Sequence, residues 1–260
     1  MRITLIGSGN VASHLGAAFK NAGHQLVQVY SRDISNAAML AFYTGAEPIG
    51  DLSNLSPETD LFIIAVKDDA IAPIAQRLAK YQKLLIHTSG STSLQILLDY
   101  TPKAGVLYPL QTLSKSKEVD FTTVPVCVEG ADSTITDQLD ELAHTISKNV
   151  YRVDSNQRKI LHLAAVFASN FPNYLYSIAG QLLADHDMSF GMLRPLILET
   201  AQKVQDRLPG EVQTGPAVRN DKSTMAVHLK MLNDQPQLKE LYTLLSQGII
   251  KMDNAGHGRK

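Results

Sequence analysis

The chain has 260 residues, 44% of them hydrophobic and 19% charged, with a formal net charge of −1. That length suggests one large domain or two modest ones, and the composition excludes a disordered chain. The near-neutral charge supplies no bulk positive field for a nucleic-acid backbone or an anionic membrane, so neither partner is expected.

The first strand is expected at 2–6 (RITLI), entered at once from Met1 with no signal-peptide architecture. It runs directly into Gly7-Ser8-Gly9-Asn10-Val11-Ala12, which opens a helix over 10–22. This is the G-x-G-x-x-G/A fingerprint of a dinucleotide site. Gly7 permits a tight turn, Gly9 lets a pyrophosphate approach the backbone, and Ala12 lets the helix pack closely on the sheet. The N–H groups at the helix start, with Ser8, Asn10 and Val11 around them, face the phosphates with a favourable dipole. The plainer alternative is a strand–helix turn that uses glycine for geometry alone.

A second strand at 25–30 (QLVQVY) ends at Ser31-Arg32, ahead of a helix over 33–44. An NAD site usually carries an acid here; a hydroxyl and a guanidinium suit a 2′-phosphate, so the expected cofactor is NADP. Asp33 takes the acidic role if the strand runs longer, and Ser31 alternatively caps the following helix. Strand 60–66 (DLFIIAV) brings Ala65, Val66 and Lys67 to its end, before a helix over 69–80. Strand 84–88 (LLIHT) leads into Thr88, Ser89, Gly90 and Ser91. Ligands of open α/β sheets gather outside the carboxyl ends of the strands, so both ends should border the cofactor. Ser89, Gly90 and Ser91 would offer donors near the nicotinamide, and Ser91 also reads as a helix cap.

Strand 104–108 (AGVLY) ends in Tyr108-Pro109-Leu110-Gln111-Thr112, where Tyr108 or Gln111 orients a substrate or forms a packed turn. Strands at 124–129 and 149–153 flank a helix over 133–147. The single cysteine, Cys127, lies in the apolar stretch VPVCV and reads as a small core residue; no Cys/His spacing resembles a metal site. The longest apolar runs, such as LFIIAV, fall far short of the ~20 residues of a membrane span. Strand–helix alternation with poorly alternating strands predicts an α/β fold for 1–154: a Rossmann, doubly wound, mostly parallel sheet covered on both faces.

From 155 onward the strand signal disappears, predicting an all-helical domain over 155–260. Long helices are expected at 155–186 and 190–207, kinked or restarted at Pro172 and Pro195. A loop at 208–221, helices near 222–232 and 236–252, and a fraying tail from Gly256 to Lys260 follow. His162, Val166 and Asn170 recur every four residues and would share one helix face. His162 suits a proton donor near neutral pH, unless it is a core or interface histidine. Arg219 can hold a substrate carboxylate bidentately, or pair with Asp221, which then caps the next helix.

GSGNVASHLG, VYSRD and AVKDD resemble pyrroline-5-carboxylate reductase and its 6-phosphogluconate-dehydrogenase-like relatives. HTSGS at 87–91, YPLQTLSK at 108–115, HLAAVFASNFPN at 162–173 and TGPAVRND at 214–221 resemble more closely a bacterial group of Rossmann-like NADP oxidoreductases with a C-terminal domain of unknown function. The resemblance implies a helical domain that dimerises. It also implies a lysine four residues before Asn170, where this chain has Val166. The reading is therefore a cytoplasmic, homodimeric, NADPH-dependent oxidoreductase. It would transfer hydride to a small, carboxylate-bearing oxo or imino compound, with His162 or a hydroxyl supplying the proton. A non-catalytic NADP-binding sensor or scaffold is the alternative.

Overall fold

The computed structural model describes residues 1–257. Eight strands form one sheet in the order β3-β2-β1-β4-β5-β6-β7-β8. Strand β1 (Arg2–Ile6) is followed by α1 (Asn10–Asn21), β2 (Gln25–Tyr30), α2 (Ile34–Thr44) and β3 (Glu47–Ile49). Then come β4 (Leu61–Ile64), α3 (Ile71–Leu78), β5 (Leu84–His87), a short α4 (Gln95–Leu98) and β6 (Ala104–Pro109). Strand β7 (Val126–Gly130), α5 (Ser133–His144) and β8 (Val150–Arg152) complete the sheet. All pairings are parallel except β6 with β7. The expected Rossmann architecture is therefore present, with one antiparallel step near its far edge.

The apolar residues divide into two layers, one on each face of the sheet. Ala12, Leu15 and Phe19 of α1, Leu40 of α2 and Leu139 of α5 cover one face. Ile71, Ala75 and Leu78 of α3 and Leu97 of α4 cover the other. Strand β4 is buried at every position, which explains its unbroken apolar run. Cys127 lies in the core of β7, as expected, and burial pushes its thiol up, away from thiolate chemistry.

Strand β3 was not expected. It is a three-residue edge strand bearing Pro48, a position where the missing N–H costs no ladder bond.

The helical expectation for 155–186 is met by α6 (Ser155–Ala165), one π turn (Val166–Asn170) and α7 (Phe171–Ala184). Pro172 does not end the helix. The wide turn just before it, in which the Phe171 N–H reaches the Val166 carbonyl, absorbs the interrupted ladder. Helix α6 opens on a capping box, with Asp154 accepting from the Gln157 N–H and the Gln157 side chain returning to Asp154 N–H.

The chain divides into compact units at Met1–Leu175 and Tyr176–Lys260. The strand signal ends at 154, but α6 belongs to the first unit. The second unit holds the rest of α7, then α8 (Arg194–Asp206), α9 (Lys222–Met231) and α10 (Pro236–His257). Pro195 sits in the first turn of α8 and starts it. Of the tail expected to fray, Gly256 and His257 end α10, and 258–260 lie outside the described residues. Among the described residues no helix is long and apolar enough to cross a membrane.

Candidate functional site

The parallel register places the carboxyl ends of β1, β2, β4 and β5 along one edge, since Ile6 pairs with Tyr30 and Ile64, and Ile64 with His87. Beyond that edge the ladder continues: Gly7 N–H donates to the Tyr30 carbonyl at 2.8 Å, Ala65 N–H to Ile6 at 2.8 Å and Thr88 N–H to Ile64 at 3.2 Å. Gly7, Ala65 and Thr88 therefore sit side by side. The chain order reverses between β1's two neighbours, β2 and β4, which makes this edge the topological switch point.

The two glycines of the turn do different work. Gly7 has φ +122, and a Cβ there would lie 2.2 Å from the Ala65 carbonyl oxygen. Gly9, at the start of α1, has nothing within 4 Å of a built Cβ. The backbone thus demands glycine at 7, while the fold leaves 9 open. Helix α1 has no side-chain cap and no acidic residue in its first turn, so its first N–H groups remain available to an anion.

At the end of β2, the Ser8 hydroxyl donates to the Ser31 hydroxyl at 3.0 Å, and Arg32 is exposed. The residue that caps α2 is Asp33, not Ser31: its carboxylate accepts from Ser35 N–H at 2.9 Å and from the Asn36 amide at 3.0 Å. Asp33 is thus committed to the helix, and Ser31 and Arg32 are the residues that follow the end of β2. An uncapped helix start, an open Gly9 and a hydroxyl–guanidinium pair without a free acid fit a dinucleotide bearing a 2′-phosphate.

On the other side of the switch point, Lys67 is exposed and Val66 half-buried at the end of β4. Asp68 accepts from the Ser91 hydroxyl at 2.5 Å. Burial works to raise the Asp68 carboxyl, but hydrogen bonds from Ser91, Ser89 and Thr92 outweigh it and hold the group below the usual range. Ser91 is therefore a partner of Asp68 and not a helix cap. The Ser89 hydroxyl organises the loop, accepting from Thr92 N–H at 3.0 Å and Ser91 N–H at 3.2 Å.

Tyr108, at the end of β6, and His162, on α6, meet at 3.0 Å between the phenol oxygen and Nδ1. In the neutral Nε2–H tautomer the phenol donates; in the imidazolium, Nδ1–H donates. Both rings press on Gly90: a Cβ there would lie 2.7 Å from Tyr108 Cζ and 2.8 Å from His162 Nδ1. Gly90 is thus required for the loop to lie under the pair. Burial pushes the Tyr108 phenol up, with the Cys127 thiol adding to the effect and the Arg158 charge opposing it.

Two residues that sequence reasoning missed hold this arrangement. Arg158 is fully buried one turn before His162. Its guanidinium forms an ion pair with Glu129 and donates to the carbonyls of Thr92 at 2.6 Å and Ser89 at 3.2 Å. Glu129 also accepts from the Ser155 N–H at 2.9 Å and from the Ser155 hydroxyl. One side chain thereby ties α6 to β7 and to the 89–92 loop. His87, fully buried beneath that loop, accepts the Ser89 N–H on Nδ1 at 3.2 Å. Burial, and then the Arg158 charge, lower its pKa to about 4, so it is neutral at pH 7. The signal that could have found Arg158 is its four-residue spacing from His162.

Asn170 is exposed and is the last residue of the π turn. Arg219 is an exposed residue of the second unit, ahead of α9. Asp221 caps α9, and the Thr224 N–H, then the Ser223 and Thr224 hydroxyls, lower its pKa to about 2. No ion pair joins it to Arg219 among the described residues. No group of side chains that could hold a metal is found among the described residues.

Comparison with known proteins decides the family. Residues 2–90 match the family described as NADP oxidoreductase, coenzyme F420-dependent, and residues 124–249 match the domain of unknown function DUF2520. A crystal structure of a candidate NADP oxidoreductase from Bacteroides fragilis is 42% identical, with TM-score 0.90, over 96% of this chain and 98% of that one. The chain belongs to that family. An imine reductase from Myxococcus stipitatus, solved with NADP+, shares the fold at 15% identity and TM-score 0.70, covering 100% of this chain and 96% of that one. A pyrroline-5-carboxylate reductase from Coxiella burnetii shares it at 17% identity and TM-score 0.56, over 97% of each chain. No curated protein matches the sequence.

Proposed function

We propose that this oxidoreductase-family protein is an NADPH-dependent reductase of a small, carboxylate-bearing oxo or imino compound. The observation that carries the reading is the Tyr108–His162 pair on the same sheet edge as the glycine turn. The open Gly9 and the N–H groups of α1 receive the diphosphate, and Ser31 with Arg32 receives the 2′-phosphate. When bound, NADPH supplies the hydride. As the imidazolium, His162 gives its Nε2 proton to the heteroatom that gains charge and becomes neutral imidazole, while the Tyr108 phenol oxygen holds the ring through Nδ1. Arg158 holds the helix that carries His162. Exposed Arg219 is the candidate anchor for a carboxylate. The imine reductase and pyrroline-5-carboxylate reductase neighbours make a C=N bond the first substrate class to test.

The protein acts as a homodimer in this reading, in the cytoplasm. Ile160, Leu163, Phe167, Phe171 and Tyr174 are 46–68% exposed and form one stripe of three- and four-residue steps along α6 and α7. A second copy would cover it. Light scattering should give twice the 28.4 kDa chain mass.

The deciding experiment is NADPH oxidation against cyclic imines, keto acids and aldehydes, beside direct titration with NADPH and NADH. Arg32→Ala should weaken NADPH binding about tenfold and leave NADH binding unchanged. Tight NADPH binding without turnover on any class would favour the sensor reading, which Val166 supports by standing where the relatives' lysine is expected.

A further inference from the structure

The segment YPLQTLSK begins at the reacting pair with Tyr108 and ends on the glycine-turn helix. Lys115 N–H donates to Asn10 Oδ1 at 3.3 Å, and His14 Nε2 lies 2.9 Å from the Ser114 carbonyl oxygen, to which its N–H donates. Asn10 is the first residue of α1 and His14 lies one turn on, so both contacts fall on the start of that helix. The Ser114 and Ser116 hydroxyls are 2.8 Å apart and tighten the crossing. The Lys115 side chain is exposed and takes part in none of the ion pairs among the described residues.

The glycine turn itself, Gly7 to Ala12, carries no cationic side chain. The turn offers backbone N–H groups and a helix dipole worth about half a charge. A diphosphate carries more negative charge than that, and a lysine is a common point-charge partner for it. We propose that Lys115 is a ligand of the dinucleotide's diphosphate, brought to the start of α1 by a strap formed by residues 110–117. The proposal rests on the NADP-binding reading above. Anchoring through the main chain, at Lys115 N–H and the Ser114 carbonyl, leaves the ammonium and its four-carbon stem free to reach the anion.

The contact is to the diphosphate, so its loss should affect both dinucleotides alike, unlike that of Arg32. The test is calorimetric titration of the full-length wild type, Lys115→Gln and Lys117→Gln with NADPH and NADH, and competition by adenosine 2′-monophosphate, which has no diphosphate. Lys115→Gln should raise the Kd of NADPH and of NADH by a common factor of about ten. The same variant should leave the 2′-monophosphate unchanged and the melting temperature within a degree or so, since the side chain is exposed. Lys117→Gln, which removes an equal charge two residues on, should change either Kd less than about twofold. An unchanged NADPH Kd in Lys115→Gln overturns the proposal. So does an equal loss in Lys117→Gln, which would mark a diffuse field, or a parallel loss of 2′-monophosphate binding. A wild type that binds neither dinucleotide fails earlier and overturns the cofactor reading as well.

Discussion

Tyr108 and His162 are 54 residues apart in the chain and 3.0 Å apart in space, joined between the phenol oxygen and Nδ1. In the proposed role the ring is an imidazolium whose Nδ1–H donates to the phenol, and its Nε2–H is the proton to give. A positioned acid contributes about 10²–10⁴-fold, so His162→Gln should lower turnover by that order with NADPH affinity nearly unchanged. Tyr108→Phe should cost less, because the ring remains and only its orienting partner is lost. Single-turnover kinetics and melting temperature on the same preparations check this; a destabilised but fully active His162→Gln protein would make the histidine structural.

The glycines of the turn should separate cleanly. Gly9→Val should fold with a near wild-type melting temperature, because a Cβ at 9 meets nothing, and should lose dinucleotide binding in calorimetric titration. Gly7→Ala should lose about 2–4 kcal/mol in urea unfolding, since its Cβ would strike the Ala65 carbonyl at a positive φ.

Removing one member of a buried ion pair leaves the other charge stranded. Arg158→Met should cost about 3–5 kcal/mol in urea unfolding, leaving the Glu129 charge with only its Ser155 donors and two carbonyls without theirs. Adding Glu129→Gln should recover part of that loss, a coupling read from the double-mutant cycle.

His87 predicts an acid limb of stability. Its folded-state pKa, about 4, lies below the ordinary value of 6.5. Above pH 6.5 neither state binds the proton and its contribution is constant. As the pH falls from 6.5 to 4, the unfolded chain takes up a proton that the folded chain refuses, so stability drops by about 3 kcal/mol. His87→Asn keeps an acceptor for the Ser89 N–H and should flatten this stretch of the unfolding free energy against pH.

Local signals made much of this molecule legible. The Gly7–Ala12 turn announces itself because its residues are consecutive and each has a steric reason. The buried strands appear as apolar runs because both sheet faces are covered. β3 escaped notice because three residues with a proline at an edge carry no period. Arg158 escaped because a charged residue within a helix reads as solvent-facing, and its partner Glu129 lies 29 residues away, with no local pattern to join them. Asp33, not Ser31, caps α2 because the strand stops at Tyr30 and the turn takes two more residues. The π turn likewise gave no warning beyond Pro172 itself.

The division between the compact units falls between Leu175 and Tyr176, inside α7, so the chain passes from one to the other as continuous helix and not through a loop. A recombination breakpoint at 154, where strands give way to helices, would part the 89–92 loop from the guanidinium that holds it and Tyr108 from its imidazole. Chimeras that exchange helical halves between relatives should therefore retain their chemistry only when residues 155–175 travel with the nucleotide-binding half.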